Sequence, residues 1–238
     1  KKMHRNISGD LVVKSHGEFV GITDENEALE YLVKVLESDE NVVALDTETS
    51  GLYARNCYVL GISISNGIRQ GAYISSDAMN EYNTEVLQDI VKNKTIVFHN
   101  AKFDMQMLSY HFGIEFVPNH THDTLVMHYM LDEAVGTHGL KDLALKYTDY
   151  GEYDKALDDY KKDYCKRNKV LESDFTYDLI PFEIMYEYAA KDTAVTFELY
   201  KLFSKYLFAD NSAQIKAAYT NIMIPATFFL AEIEGNGI

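Results

Sequence analysis

Two acids one residue apart, Asp46 and Glu48, close the apolar run Val42-Val43-Ala44-Leu45 and precede the turn residues Ser50-Gly51. On an extended strand, residues i and i+2 point to the same face, so both carboxylates leave the strand together. Two anions side by side repel unless a cation neutralises them, and hard oxygen ligands suit Mg2+ or Mn2+. A solvated strand end is the plainer alternative, because a chain with 37 acidic residues contains such pairs by chance.

Two further pairs share a different spacing. Asn100 and Asp104 stand four apart in His99-Asn100-Ala101-Lys102-Phe103-Asp104, where a β-prone run passes into a helix. They stack on one helical face near the positive end of its dipole, although an N-cap beside a solvated acid would look the same. Tyr188 and Asp192 repeat the spacing later, with small Ala189 and Ala190 between them allowing close approach to a sheet. A free tyrosine titrates near pH 10, which suits Tyr188 to orienting water rather than to acting as a base at neutral pH. Together, Asp46, Glu48, Asp104 and Asp192 could hold two divalent ions, Mg2+ or Mn2+, roughly 4 Å apart for in-line phosphoryl displacement.

The elements that must position these groups read as α/β. Residues 1–22 are mildly basic and aperiodic, an arm or short strand. A capped amphipathic helix follows from Thr23, then the strand 42–46. Val59–Ser65 and Gly71–Ile74, separated by the hairpin signal Asn66-Gly67, complete an antiparallel meander. Next come a helix over about 84–91, a strand 95–99, a helix 101–112, a short strand 114–117 and a helix 124–131, an alternation expected of a mixed sheet flanked by helices. Residues 139–208 read as helices, one of them long and starting near Pro181 in its first turn. Tyr-rich helices at 147–160 and 177–188 read as core and rim, and 213–234 as one more apolar helix.

Composition narrows the function. The net charge of −15 counts against a protein that grips nucleic acid mainly through a broad basic surface. Cys57 and Cys165 are too few for a disulfide framework and lack zinc-site pairing, which favours a reducing compartment. No apolar run approaches the roughly 18 residues a membrane span requires.

In combination, Asp46-x-Glu48, Asn100-x-x-x-Asp104 and Tyr188-x-x-x-Asp192 resemble the three motifs of the DEDD 3′–5′ exonucleases, tyrosine subclass. The histidine subclass would place a His where Glu187 stands. Asp123-Thr124-Leu125, the segment 138–144 and the helix 188–200 are similar to the proofreading domain of family A DNA polymerases of bacterial polymerase I or phage type. The resemblance implies a ribonuclease H-like fold. It implies that Asp46, Glu48 and Asp192 bind one metal with its attacking water, that Asp46 and Asp104 reach the second, and that Tyr188 positions the nucleophile. It also implies that Asn100 contacts the terminal nucleotide and that Leu52 is an apolar wedge against the last bases. Phe103 departs from the Tyr of many relatives.

The tail around Ile224-Pro225 and residues 233–238 resembles the first helix of a family A polymerase region. The expected organisation is therefore an arm at 1–22, a 3′–5′ exonuclease domain at 23–208 and the start of a truncated polymerase domain at 209–238. The expected partners are a single-stranded or frayed 3′ DNA end and a polymerase domain in the same parent chain, with no membrane, in the cytoplasm of a bacterial cell or phage-infected host. A stand-alone exonuclease on DNA or RNA, similar to ribonuclease D, and a catalytically silent nucleic-acid clamp are the alternatives.

Three features carry less. His120-x-His122 lacks a third ligand at metal spacing and reads as a polar edge. His99 reads equally as a neighbour of the metals or a satisfied buried histidine. The basic run 161–169, with Tyr160 and Tyr164 interleaved, could follow single-stranded phosphate and stack bases, or be a solvated face.

Overall fold

The computed structural model describes residues 17–237, so residues 1–16 of the arm expected over 1–22 lie outside the described residues. Its continuation forms β1 (Glu18–Ile22), and Asp24 then caps α1 (Glu25–Glu37) by accepting from the backbone N–H of Asn26 and Glu27 at 2.9 and 3.1 Å. Strands β2 (Val42–Thr49), β3 (Val59–Ser65) and β4 (Gln70–Ser75) are the expected antiparallel meander. In its hairpin the left-handed residue is Arg69, at φ 55°, rather than Asn66 or Gly67. Helix α2 (Glu81–Asn93), β5 (Thr95–Phe98) and α3 (Ala101–Phe112) continue the alternation.

The strand expected at 114–117 is absent. The Ile114 N–H donates to the Leu108 carbonyl at the end of α3, and the Gln88 side chain bonds both the N–H and the carbonyl of Glu115. Backbone groups already satisfied by a helix end and a side chain cannot join a ladder. The strand falls instead at β6 (Thr121–Asp123), parallel to β5, and leads into α4 (Thr124–Leu131).

The sheet runs β1-β4-β3-β2-β5-β6, with β2 central and parallel to β5. Helices α1, α2 and α3 cover one face, where Leu32, Leu87, Ile90 and Leu108 pack against Val43, Leu45 and Ile96. The other face is crossed by α7 (Phe182–Leu207), with α4 and α5 (Leu140–Tyr147) beside it; Val42, Ala44 and Val97 pack there against Met127, Leu143 and Val195. Small residues set that approach: a Cβ on Gly71 of β4 would stand 2.7 Å from the Ala190 carbonyl, so only glycine lets α7 lie this close. Pro181 caps α7 from outside, its carbonyl accepting from Ile184 and Met185, rather than sitting in the first turn.

The stretch 147–160 is not one helix. Gly151, at φ 63°, breaks it between α5 and α6 (Lys155–Asn168). Residues 177–179 form a separate 3-10 turn before α7. The last segment divides into α8 (Ala213–Ala218), a π turn (Tyr219–Met223) and α9 (Ile224–Gly235). Pro225 has no N–H to donate and its ring crowds the preceding turn, which the wider π geometry relieves. Tyr219 is fully buried, and α9 docks on α3 through Lys102–Glu234 at 2.7 Å and on the Arg55 guanidinium, which donates to the Gly235 carbonyl.

Candidate active site

Asp46 and Glu48 share one face of β2, as the strand period requires, but within the strand rather than at its end, since β2 continues to Thr49. Only Val42, Ala44 and the residue between them pair with β5, so beyond Ala44 that edge of β2 is open. The start of α3 fills the opening. Asp104 is buried there, and its Oδ1 accepts from the Thr47 N–H at 2.9 Å and the Thr47 hydroxyl at 2.7 Å. Thr47, pointing to the opposite face from Asp46 and Glu48, thus holds Asp104 in place of a missing strand partner.

From the other side, α7 lowers Asp192 toward the same spot. Ligand oxygens of Asp46, Glu48 and Asp192 lie within 4.8 Å of one another, and this is the one group of three among the described residues able to hold a metal ion. Asp104 stands outside that trio but close enough to act on it. Burial, then the charges of Asp104, Glu48 and Asp192, push the Asp46 carboxyl well above the usual range. Burial and Asp192 do the same to Glu48. Burial raises Asp104 to about 7, against the Thr47 hydrogen bonds, which favour its anion. Carboxylates that resist ionisation because they are buried and repel one another suit hard divalent cations, so the donor set fits a metal.

Tyr188 lies one turn before Asp192. Burial and the Asp192 and Glu48 charges hold its hydroxyl well above the ordinary value, so it keeps its proton and can donate a hydrogen bond. Asn100 takes the left-handed conformation at φ 76°, makes no side-chain cap bond and is exposed. The cap comes from Asp123 instead, whose carboxylate accepts from the N–H of Asn100 at 3.0 Å and of Ala101 at 2.8 Å. The Asn100 amide is therefore left free at a strained backbone position. Leu52 is 76% exposed, with Tyr53 beside it at 74%.

Two groups at this site carried no expected role. The Lys141 ammonium bonds Asp192 and the Tyr153 hydroxyl, and the Tyr153 hydroxyl also donates to Asp192. Lys141 lies within the segment 138–144 that resembles family A polymerases, whereas nothing local distinguishes Tyr153 from its neighbours.

Three further features lie around or beyond this cluster. His122 sits among Tyr200, Phe208 and Tyr219, and burial takes its pKa down to about 4. His99 bonds Thr124 through Nδ1 at 2.8 Å, and burial lowers it to about 3. Tyr160 donates to the Leu179 carbonyl and Tyr164 packs edge-on against Phe175, and both are half-buried. Lys162, Lys166 and Arg167 are exposed on α6.

Comparison with solved structures assigns the architecture. NrnC of Brucella melitensis matches at TM-score 0.64, covering 92% of this chain and 94% of that one at 18% identity; ribonuclease D of Escherichia coli matches at 0.63, covering 93% and 51% at 15% identity. The fold is that of the ribonuclease H-like 3′–5′ exonucleases. Sequence narrows this further, for the family model of the 3′–5′ exonuclease domain of DNA polymerase A covers residues 19–207, and the chain belongs to that family. The DNA polymerase of Escherichia phage T5 is 45% identical over 244 residues, spanning all of this chain and 28% of that protein. DNA polymerase I of Pseudomonas aeruginosa is 26% identical over 250 residues, again spanning the whole chain and 26% of that protein. The chain thus spans about a quarter of the length of these curated relatives. No helix among the described residues is long and apolar enough to cross a membrane.

Proposed function

We propose that this chain is the proofreading exonuclease of a family A DNA polymerase, removing 3′-terminal nucleotides from single-stranded or frayed DNA ends as nucleoside monophosphates. The observation that carries the reading is the convergence of Asp46, Glu48 and Asp192 within 4.8 Å, with Asp104 tied beside them and Tyr188 one turn away. Asp46, Glu48 and Asp192 would hold one divalent ion, and Asp46 with Asp104 a second. Such ions, Mg2+ or Mn2+, supply Lewis-acid polarisation of the scissile phosphate and stabilise charge on the leaving 3′ oxygen.

The chain's own groups do the rest. Tyr188 keeps its proton and orients the attacking water in line with the bond to be cut. Asn100 offers its free amide to the terminal nucleotide, and exposed Leu52 packs against the last base. Residues 209–238 are read as the beginning of the polymerase region. The docking of α9 on α3 supports a continuous path from there to the element bearing Asn100 and Asp104.

A second reading, a stand-alone exonuclease on DNA or RNA, draws on the match to NrnC over nearly that protein's whole length. The length of the parent gene discriminates the two, since a polymerase parent extends well beyond this chain, as the phage T5 and Pseudomonas aeruginosa relatives do. The central test is degradation of a 5′-labelled single strand with Mg2+, with and without chelator. Asp46→Ala should abolish the product ladder, and Tyr188→Phe should slow it on the order of 10–100-fold. A ladder unchanged by Asp46→Ala would sink the metal-dependent reading.

A further inference from the structure

Lys141 rises from the first turn of α5 into the carboxylate cluster, and the surroundings of its ammonium are unusually complete. Nζ contacts the Asp192 carboxylate, bonds the Tyr153 hydroxyl at 2.9 Å, and lies 4.4 and 4.2 Å from the ring centroids of Tyr153 and Tyr188. A lysine has three N–H donors and a charge that aromatic faces attract, so both kinds of partner are present at once. Tyr153 closes the triangle by donating to the same Asp192 oxygen, Oδ1. Asp192 itself is 5% exposed and is one of the three acids gathered within 4.8 Å. The carboxylate that a metal would use is therefore already held by two donors of the chain.

We propose that Lys141 and Tyr153 form a latch on Asp192 that competes with the divalent ion for that carboxylate and sets the metal affinity of the site. The inference rests on the reading that Asp46, Glu48 and Asp192 bind a metal. A divalent cation among those acids repels an ammonium bonded to one of them, so the two do not share Asp192 at full strength. The ammonium has somewhere to go. A cleft of about 320 Å³ opens directly beside Lys141, lined by Glu152, Asp154, Asp158 and Asp159 together with Lys155 and Lys162. The flexible lysine stem can swing into it and exchange one carboxylate partner for others. Leaving the cluster also uncovers the Tyr188 ring, next to the hydroxyl assigned to the attacking water. Lys141 and Tyr153 act here through Asp192 and are positioning residues.

Mn2+ binding to the 238-residue chain, measured by isothermal titration calorimetry, tests this without any turnover. Lys141→Met should bind Mn2+ at least about tenfold more tightly than wild type, since it removes the competing charge. Tyr153→Phe alters no charge but removes the hydroxyl that bonds both partners, and should tighten binding by about threefold. Wild-type affinity in Lys141→Met overturns the latch. So does tightening in Lys141→Met alone, which would reduce Lys141 to a through-space charge. Asp46→Ala separates the two readings: Mn2+ uptake that survives this change overturns the metal site itself, whereas its loss fixes the ion at the site the latch guards.

Discussion

Asp104→Asn should make the chain more stable above neutral pH while impairing it as a nuclease. Burial lifts the Asp104 carboxyl from its ordinary 3.8 to about 7. Between those values the folded chain binds more protons at this group than the unfolded chain does, so stability falls as pH rises through the window and is flat above it. At 1.36 kcal/mol per pH unit, the lift amounts to about 4 kcal/mol withdrawn from the folded state by pH 7. That is a large part of the roughly 5–15 kcal/mol that holds a domain together.

Asparagine keeps the carbonyl oxygen that accepts from Thr47 and cannot ionise, so it removes the cost while preserving the contact. Asp46, which feels the Asp104 charge, relaxes in the same direction. The assay is urea unfolding with chelator present at a series of pH values from 4 to 8, followed by far-UV circular dichroism because the chain has no tryptophan. Wild type should lose about 4 kcal/mol more than Asp104→Asn across the window. Parallel pH profiles for the two proteins would refute the reasoning. They would mean that Asp104 is solvated or already counter-charged when the strand-edge gap is free to relax.

Two other perturbations probe regions away from the carboxylates. Tyr219→Phe leaves the buried Asp123 N–H without the hydroxyl that accepts from it at 3.1 Å, and should cost about 1–3 kcal/mol in a thermal or urea melt; a change inside the measurement error would show that another acceptor serves that N–H. Reversing Lys161, Lys162 and Lys166 to Glu should raise the apparent KM for a single strand and flatten its salt dependence by about 0.7 per lost phosphate contact, whereas unchanged kinetics would make α6 a solvated face.

What the sequence disclosed and what it hid divide along a physical line. Asp46 with Glu48, and Tyr188 with Asp192, were legible because strand and helix periods place their members on one face whatever the rest of the chain does. The meander and the helices starting at Ala101 and Thr124 were legible for a similar reason, since apolar patterning and local turn signals determine them. Strand β6 was hidden because Thr121, His122 and Asp123 carry no apolar signature; their extended form depends on pairing with β5, while the more apolar Ile114 is held by the end of α3.

Lys141 and Tyr153 were hidden more deeply. Their partner Asp192 lies 51 and 39 residues away, and a lysine facing solvent on α5 would have the same local sequence as one inserted among acids. The difference bears on the charge of −15. That total weighs against binding a polyanion only if the acids are spread over the surface where DNA must lie. Here several of them are sunk in one cleft, where burial already suppresses their ionisation and a lysine from the chain itself offsets part of what remains. The local balance in the cleft then depends on how many cations share it with Asp46, Glu48, Asp104 and Asp192, a number that tertiary closure controls and that counting residues does not reveal.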